Sequence, residues 1–389
     1  MFHCMTRRTW IAGAGAAAGS LALPKRVFSA EAPTAAVAVA ACRSYGPELV
    51  PALEKMFDQL GGLGRLVRGK TVAVKVNLTG TPTDRLGHLA NGLTHWTNPA
   101  VIGATLHLLG KAGARRIRIL ESPWKSAEPI EEYMLQAGWE PRDFLNAAPG
   151  VEFENTNFLG NGKQYVRLAT PHGGHVFRAF DLNHSYRDCD VFVSIAKLKE
   201  HLTAGVTLSM KNCFGITPCT IYGDGAGENE PGLLPQGGRG ILHSGSRQPS
   251  KSAPSENDPK SPRDPGYRVP AIVSDLVAAR PIHLAIIDGI RTQTRGETAG
   301  VRGAVPVAPG VLIAGTNCVC TDAVGMAVMG FDPLADRGKA PFERSDSTLR
   351  LAESLGVGTR DLARIEVIGP PIAQVRFDFR NPVRAPDPA

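Results

Sequence analysis

Long hydrophobic runs, aromatic side chains and cysteine motifs are all in short supply in this 389-residue chain. Its weakly apolar stretch near the start, residues 12–23, is mostly Gly and Ala and well short of the roughly 18 residues of a membrane helix, so no stable membrane span is expected. Aromatics amount to 6% and never interleave with basic runs, which argues against a surface that stacks nucleic-acid bases. The formal charge of +7 does not reverse that reading. Arg7, Arg8, Lys25 and Arg26 sit in the first thirty residues without an acid, leaving an excess of only about +3 on the remainder. The cysteines include no CxxC and no ferredoxin spacing, so neither a disulfide framework nor an iron–sulfur cluster is expected. Cys42, Cys189, Cys213, Cys219, Cys318 and Cys320 read as buried free thiols, and Cys318-x-Cys320, on one side of a strand, as a weak metal signal. His95, His172, His175 and His243 lack metal-ligand spacing, which leaves the metal content unknown. No GxSxG elbow, P-loop or GxGxxG follows a strand, which removes the usual hydrolase and nucleotide-binding readings.

What is present is an address and an α/β pattern. Arg7-Arg8 before a short apolar region, ending near small residues at Ala30, reads as a twin-arginine signal over residues 1–30. The chain is then expected to be periplasmic or secreted, with the twin-arginine export machinery as a partner. A hydrophobic fraction of 43% supports one large α/β domain or two lobes. Residues 35–41, 70–78, 116–121, 190–199, 283–290, 311–314 and 364–368 read as strands. Residues 48–60, 322–329 and 348–355 read as helices, and Thr97-Asn98-Pro99 opens another that runs to Gly113. That alternation predicts an α/β fold with mainly parallel sheets, crossover helices and two lobes around a cleft. Residues 223–268, rich in Gly, Pro and Ser, read as a mobile insertion or lid.

The densest chemistry lies in AKLKEHLTAGVTLSMKNCFGITP, residues 196–218. Lys197, Lys199, His201, Lys211 and Asn212 follow an apolar strand, where parallel sheets place ligands, and several cations beside small residues suit an anionic group. Lys75 and Asn77 end the 70–78 strand, and a lysine inside VAVKVNL is costly to bury without a partner. Thr97 and Asn98 offer free N–H groups at a helix start. Asp288 or Asp322 could orient a lysine or histidine. His201 and Lys211 are the candidate catalytic pair; Lys75, Asn77, Thr97, Asn98, Lys197, Lys199 and Asn212 are candidate binding residues for a small anionic molecule.

KVNLTG, the TNP helix start, SIAKLKEHLTAGVTLSMKNCFG, AIIDGIRTQTRGE and AGTNCVCTDAVGMAVMGFDP resemble, in order, the family called domain of unknown function 362. The resemblance makes residues 31–389 one family domain. Many members carry a four-cysteine ferredoxin-like module, which this sequence lacks. His201-x-x-Ala204-Gly205-x-Thr207-x-x-x-Lys211 is similar, more distantly, to a segment of the nickel-pincer lactate racemases. That similarity implies proton transfer by His201 and covalent attachment of the pincer cofactor to Lys211. Leu208-Ser209-Met210 replaces the Gly-Gly-Arg of that segment, and Gly227 stands where its metal-binding histidine would fall. The expectation is an enzyme, isomerase- or racemase-like or redox, acting on a small anionic substrate with His acid/base and Lys anion binding, and with room for a metal or organometallic cofactor. The alternative is a non-catalytic periplasmic protein that binds an anion or cofactor.

Overall fold

The computed structural model describes residues 31–160 and 162–387. The twin-arginine reading therefore concerns residues outside those described. Eight strands form one sheet: β1 (Val37–Ala41), β2 (Thr71–Lys75), β3 (Arg116–Glu121), β4 (Val151–Asn155), β5 (Val191–Lys197), β6 (Leu284–Gly289), β7 (Val311–Gly315) and β8 (Val367–Ile368). Their order is β8-β1-β7-β6-β5-β2-β3-β4. Neighbours run parallel except at β7, which is antiparallel to β1 and β6. The expected α/β class with a mainly parallel sheet is what the chain adopts. Both halves of the chain share this sheet, and its topology does not divide them into two lobes.

The continuous apolar runs of the central strands follow from burial on both faces. Val72 and Val74 of β2 and Val191, Val193 and Ile195 of β5 pack against the Leu49–Gln59 and Pro99–Lys111 helices. Ala73, Phe192, Ala285 and Ile287 point the other way, towards the Leu208–Asn212, Pro265–Ala279 and Cys318–Val328 helices. Each fully buried Val, Leu or Ile on these faces contributes about 1.5–3 kcal/mol, before the entropy cost of ordering it. The helix predicted from Thr97-Asn98-Pro99 is present, with Asn98 Oδ1 accepting from the Ala100 N–H at 2.9 Å.

Three elements depart from the sequence reading. The helix expected over 322–329 begins four residues earlier, because Asn317 Oδ1 accepts from the Val319 and Cys320 N–H groups and caps it there. Cys318 and Cys320 therefore lie on a helix, not on one side of a strand, and with Cys42, Cys189, Cys213 and Cys219 they are buried free thiols. β4 is absent from the sequence reading, because its five residues carry only Val151 and Phe153 as apolar positions; it is an edge strand whose alternating Glu152 and Glu154 pair with Arg116 and Arg118 of β3. The Pro265–Ala279 helix is masked in the sequence by Pro270 in its interior. In residues 223–268, Ile241 and Leu242 are fully buried and Glu256 forms a buried ion pair with Arg268 at 2.7 Å.

Candidate functional site

The chain winds outward from β2 through β3 to β4, then returns to place β5 on the opposite side of β2. Between β2 and β5 the winding direction reverses, and in open α/β sheets the crevice beyond the carboxyl ends of such strands holds ligands. A cavity of about 370 Å³ lies there. Lys75 and Asn77 reach it from the end of β2, Glu121 from the end of β3, and His201 from the segment after β5. The five-residue Leu208–Asn212 helix supplies Lys211 and Asn212, and residues 223–268 supply Arg239 and His243. Glu297, from the segment after β6, completes the wall.

A buried polar network fixes the floor. Lys75 Nζ pairs with Glu121 Oε1 at 2.7 Å and donates to Asn212 Oδ1 at 3.2 Å. Asn77 Nδ2 donates to the same Asn212 oxygen at 2.9 Å, and Asn212 Nδ2 donates to Ser194 Oγ at 3.0 Å. Gly215 is required here: a Cβ on it would come within 2.8 Å of Glu121 Oε1 and 2.9 Å of Lys75 Nζ. Lys199 Nζ donates to His95 O at 2.5 Å, and to Asn77 Oδ1 and Glu297 O at 2.9 Å each. Its amine is pushed well below the ordinary lysine range, first by burial and then by neighbouring lysines, while Glu297 opposes the shift. Lys75 and Lys199 thus have their hydrogen-bonding capacity taken up inside the protein.

Lys211 and Arg239 do not. Among the described residues Lys211 Nζ has no oxygen partner and instead lies over the Phe214 ring, 4.2 Å from its centroid. Its pKa falls to about 7, chiefly through burial, with Arg239 and Lys75 adding to the fall and Glu297 opposing it. Arg239 anchors its Nε on Thr217 O at 3.0 Å and one terminal nitrogen on Ser122 O at 2.7 Å. It has no carboxylate within ion-pair distance among the described residues, and its other terminal nitrogen is unpartnered. Thr207 Oγ1, also on the cavity wall, is buried without a hydrogen-bond partner.

His201 is held in one tautomer. Its Nδ1 accepts from the Thr203 N–H at 3.1 Å, so the proton of the neutral ring sits on Nε2. Burial first, then Lys211, His243 and Lys199, push its pKa well below the ordinary value and keep the ring neutral near pH 7. Glu297 Oε2 lies 3.9 Å from Nδ1. His201 thereby keeps an N–H on Nε2, and a carboxylate stands beside its other nitrogen.

Five of the residues singled out in the sequence lie elsewhere. Lys197 Nζ pairs with Asp288 Oδ2 at 2.8 Å, both side chains fully buried, and also donates to Gly92 O at 2.9 Å. Asp288 accepts the Asn98 N–H at 3.0 Å as well, so the helix start at Thr97-Asn98 is satisfied from within. Thr97 Oγ1 donates to Ile195 O at 3.0 Å. Asp322 accepts from the Ser209 N–H, the Ser209 hydroxyl and the Met210 N–H at 2.6–2.9 Å, and burial pushes its carboxyl up to about 7. Lys197, Thr97, Asn98 and Asp288 form a structural cluster, and Asp322 positions the helix that carries Lys211. Glu121, Arg239, His243 and Glu297 line the cavity without having been singled out. Glu121 alone left a signal, as the charged end of an apolar strand. No group of three or more His, Cys, Asp or Glu among the described residues is placed to hold a metal ion. A Cβ at Gly227 would come within 2.2 Å of Glu230 O, so no side chain fits at the position where the racemase motif puts its metal ligand. These residues do not fit a nickel–pincer group.

The family model described as domain of unknown function (DUF362) matches residues 72–327. A thylakoid-associated protein of Synechocystis sp. is 27% identical over 172 residues, which cover 44% of this chain and 46% of that protein. The chain thus matches less than half the length of that relative. The lactate racemase apoprotein from Thermoanaerobacterium thermosaccharolyticum is a structural neighbour with 10% identity and a TM-score of 0.35, covering 72% of this chain and 55% of the other.

Proposed function

The chain belongs to the family described as domain of unknown function DUF362; since that description carries no activity, we propose a function from the cavity itself, namely that it binds a small anionic molecule and acts on it. One observation carries the reading: Lys211 and Arg239 line the same cavity, and neither has a carboxylate partner among the described residues. Two buried cations without a direct ion-pair partner are costly, and a bound carboxylate or phosphate would offset that cost through charge-assisted hydrogen bonds. The unpartnered Thr207 hydroxyl and the His201 Nε2–H supply neutral contacts for the rest of the ligand. Glu297 is the group placed to accept a proton, with His201 polarising the ligand oxygen as a donor and not acting as a base. Export on Arg7 and Arg8 belongs to the same proposal and rests on the sequence alone.

Titration calorimetry of the full chain with lactate, pyruvate and inorganic phosphate tests the reading. One site is expected for at least one of these anions, with affinity lowered about tenfold or more by Arg239→Gln. Equal binding by wild type and the Lys211→Ala/Arg239→Gln double variant would remove the proposed site.

A further inference from the structure

We infer that Lys211 forms an imine with a small 2-oxo acid, its amine joining the carbonyl carbon while Arg239 holds the carboxylate. This inference rests on reading the cavity as an anion site and assigns the class of its occupant.

Four lysines cluster at this end of the sheet, and only one is equipped as a nucleophile. Lys75 is paired with Glu121, Lys197 with Asp288, and Lys199 is ringed by His95 O, Asn77 Oδ1 and Glu297 O. Lys211 Nζ has none of these; it lies over the Phe214 ring, and both residues line the cavity. An amine reacts through its lone pair, which is free only when the proton is off and no partner occupies it. Burial together with the cations Arg239 and Lys75 sets the amine near pH 7, so a large fraction is neutral there. The carbonyl oxygen needs a donor as charge develops on it, and the neutral His201 ring offers Nε2–H on the same wall. A carboxylate next to the carbonyl matches the remaining cation.

The step balances without redox. The Lys211 lone pair forms a C–N bond as the carbonyl π pair moves to oxygen. The two amine protons then leave with that oxygen as one water, and C=N replaces C=O. Of the carboxylates on the wall, Glu297 stands beside His201 and can carry a proton from nitrogen to oxygen.

Reductive trapping tests this. The full chain is incubated with pyruvate and cyanoborohydride, then examined by intact mass and peptide mapping, with propanal as a carbonyl probe lacking the carboxylate. One reduced pyruvyl adduct at Lys211 is expected, absent in Lys211→Arg. Arg239→Gln should raise the pyruvate concentration for half-labelling about tenfold or more beyond any change it makes in propanal labelling at Lys211, which registers only the altered amine. Labelling spread over exposed lysines at equal rates would overturn the inference. Saturable pyruvate binding by calorimetry with no adduct would overturn the imine while leaving the anion site standing; neither binding nor adduct would overturn both.

Discussion

At the scale of single residues, the two roles open to Lys211 respond oppositely to pH. With the amine set at about 7, the ammonium that attracts an anion is lost as pH rises through that value. The neutral amine that attacks a carbonyl is gained over the same interval. Affinity for lactate, which has no carbonyl to attack, should therefore fall by up to about tenfold between roughly pH 6 and 8, while pyruvate trapping rises. Lys211→Arg, which stays charged throughout, should bind lactate with no such slope. A flat lactate profile in wild type would mean that Lys211 does not contact the anion. His201 contributes nothing to this window, since its ring is neutral across it. The sequence exposed Lys211 and His201 because they stand together after an apolar strand. It could not expose Arg239, a lone arginine in a Gly-rich stretch whose meaning depends on which loop it meets, nor that the His201 proton sits on Nε2, which is set by the Thr203 N–H.

At the scale of elements, the site hangs on a helix too short to be stable by itself. The helix Leu208–Asn212 opens on Leu208 itself, whose φ of 43° is a left-handed conformation rarely adopted by a branched side chain. Asp322 offsets that strain by accepting three hydrogen bonds from Ser209 and Met210. The carboxylate and the helix lie more than a hundred residues apart in sequence, which is why Asp322 was legible only as a candidate orienting group. Lys197 shows the reverse error, and Asp288, read as a group that could orient a lysine, is its partner. Their residue types and strand-end positions match those of ligand-binding groups, yet they face each other in adjacent parallel strands, in register. Asp288→Asn should leave Lys197 buried without a counter-charge and lower stability by about 3–5 kcal/mol, read as a shift of the denaturation midpoint. Lactate affinity of the folded variant should change by less than about threefold. A large loss of affinity with unchanged stability would return Asp288 to the site.

At the scale of the molecule, strand positions were legible because buried parallel strands are continuous apolar runs. The sheet order was not legible, because nothing local says on which side of β2 the chain will place β5. That choice brings Lys75 and His201 to one crevice, to whose lining residues 223–268 add Arg239 and His243. Composition suggested a lid that cannot order itself, and the structure shows how the segment is tied. The loop of residues 224–238 is closed at its base by the Asp224 N–H donating to Gly238 O at 2.9 Å, directly before Arg239. Leu233, at its tip, is 93% exposed. Chymotrypsin should therefore cut first between Leu233 and Leu234, since Pro235 protects the next bond. Cutting requires several residues around Leu233 to detach from their neighbours, including the Gly232 N–H that donates to Thr220 O at 2.8 Å. An anion held by Arg239 fixes the base of this loop, so saturating lactate should slow the cut, by at most about a hundredfold at a hundred times Kd if opening and binding exclude each other. The Arg239→Gln variant should be cut at one rate with or without lactate. Wild type cut equally fast in both conditions, although calorimetry shows the anion bound, would mean that the segment opens independently of the cavity and is not its lid.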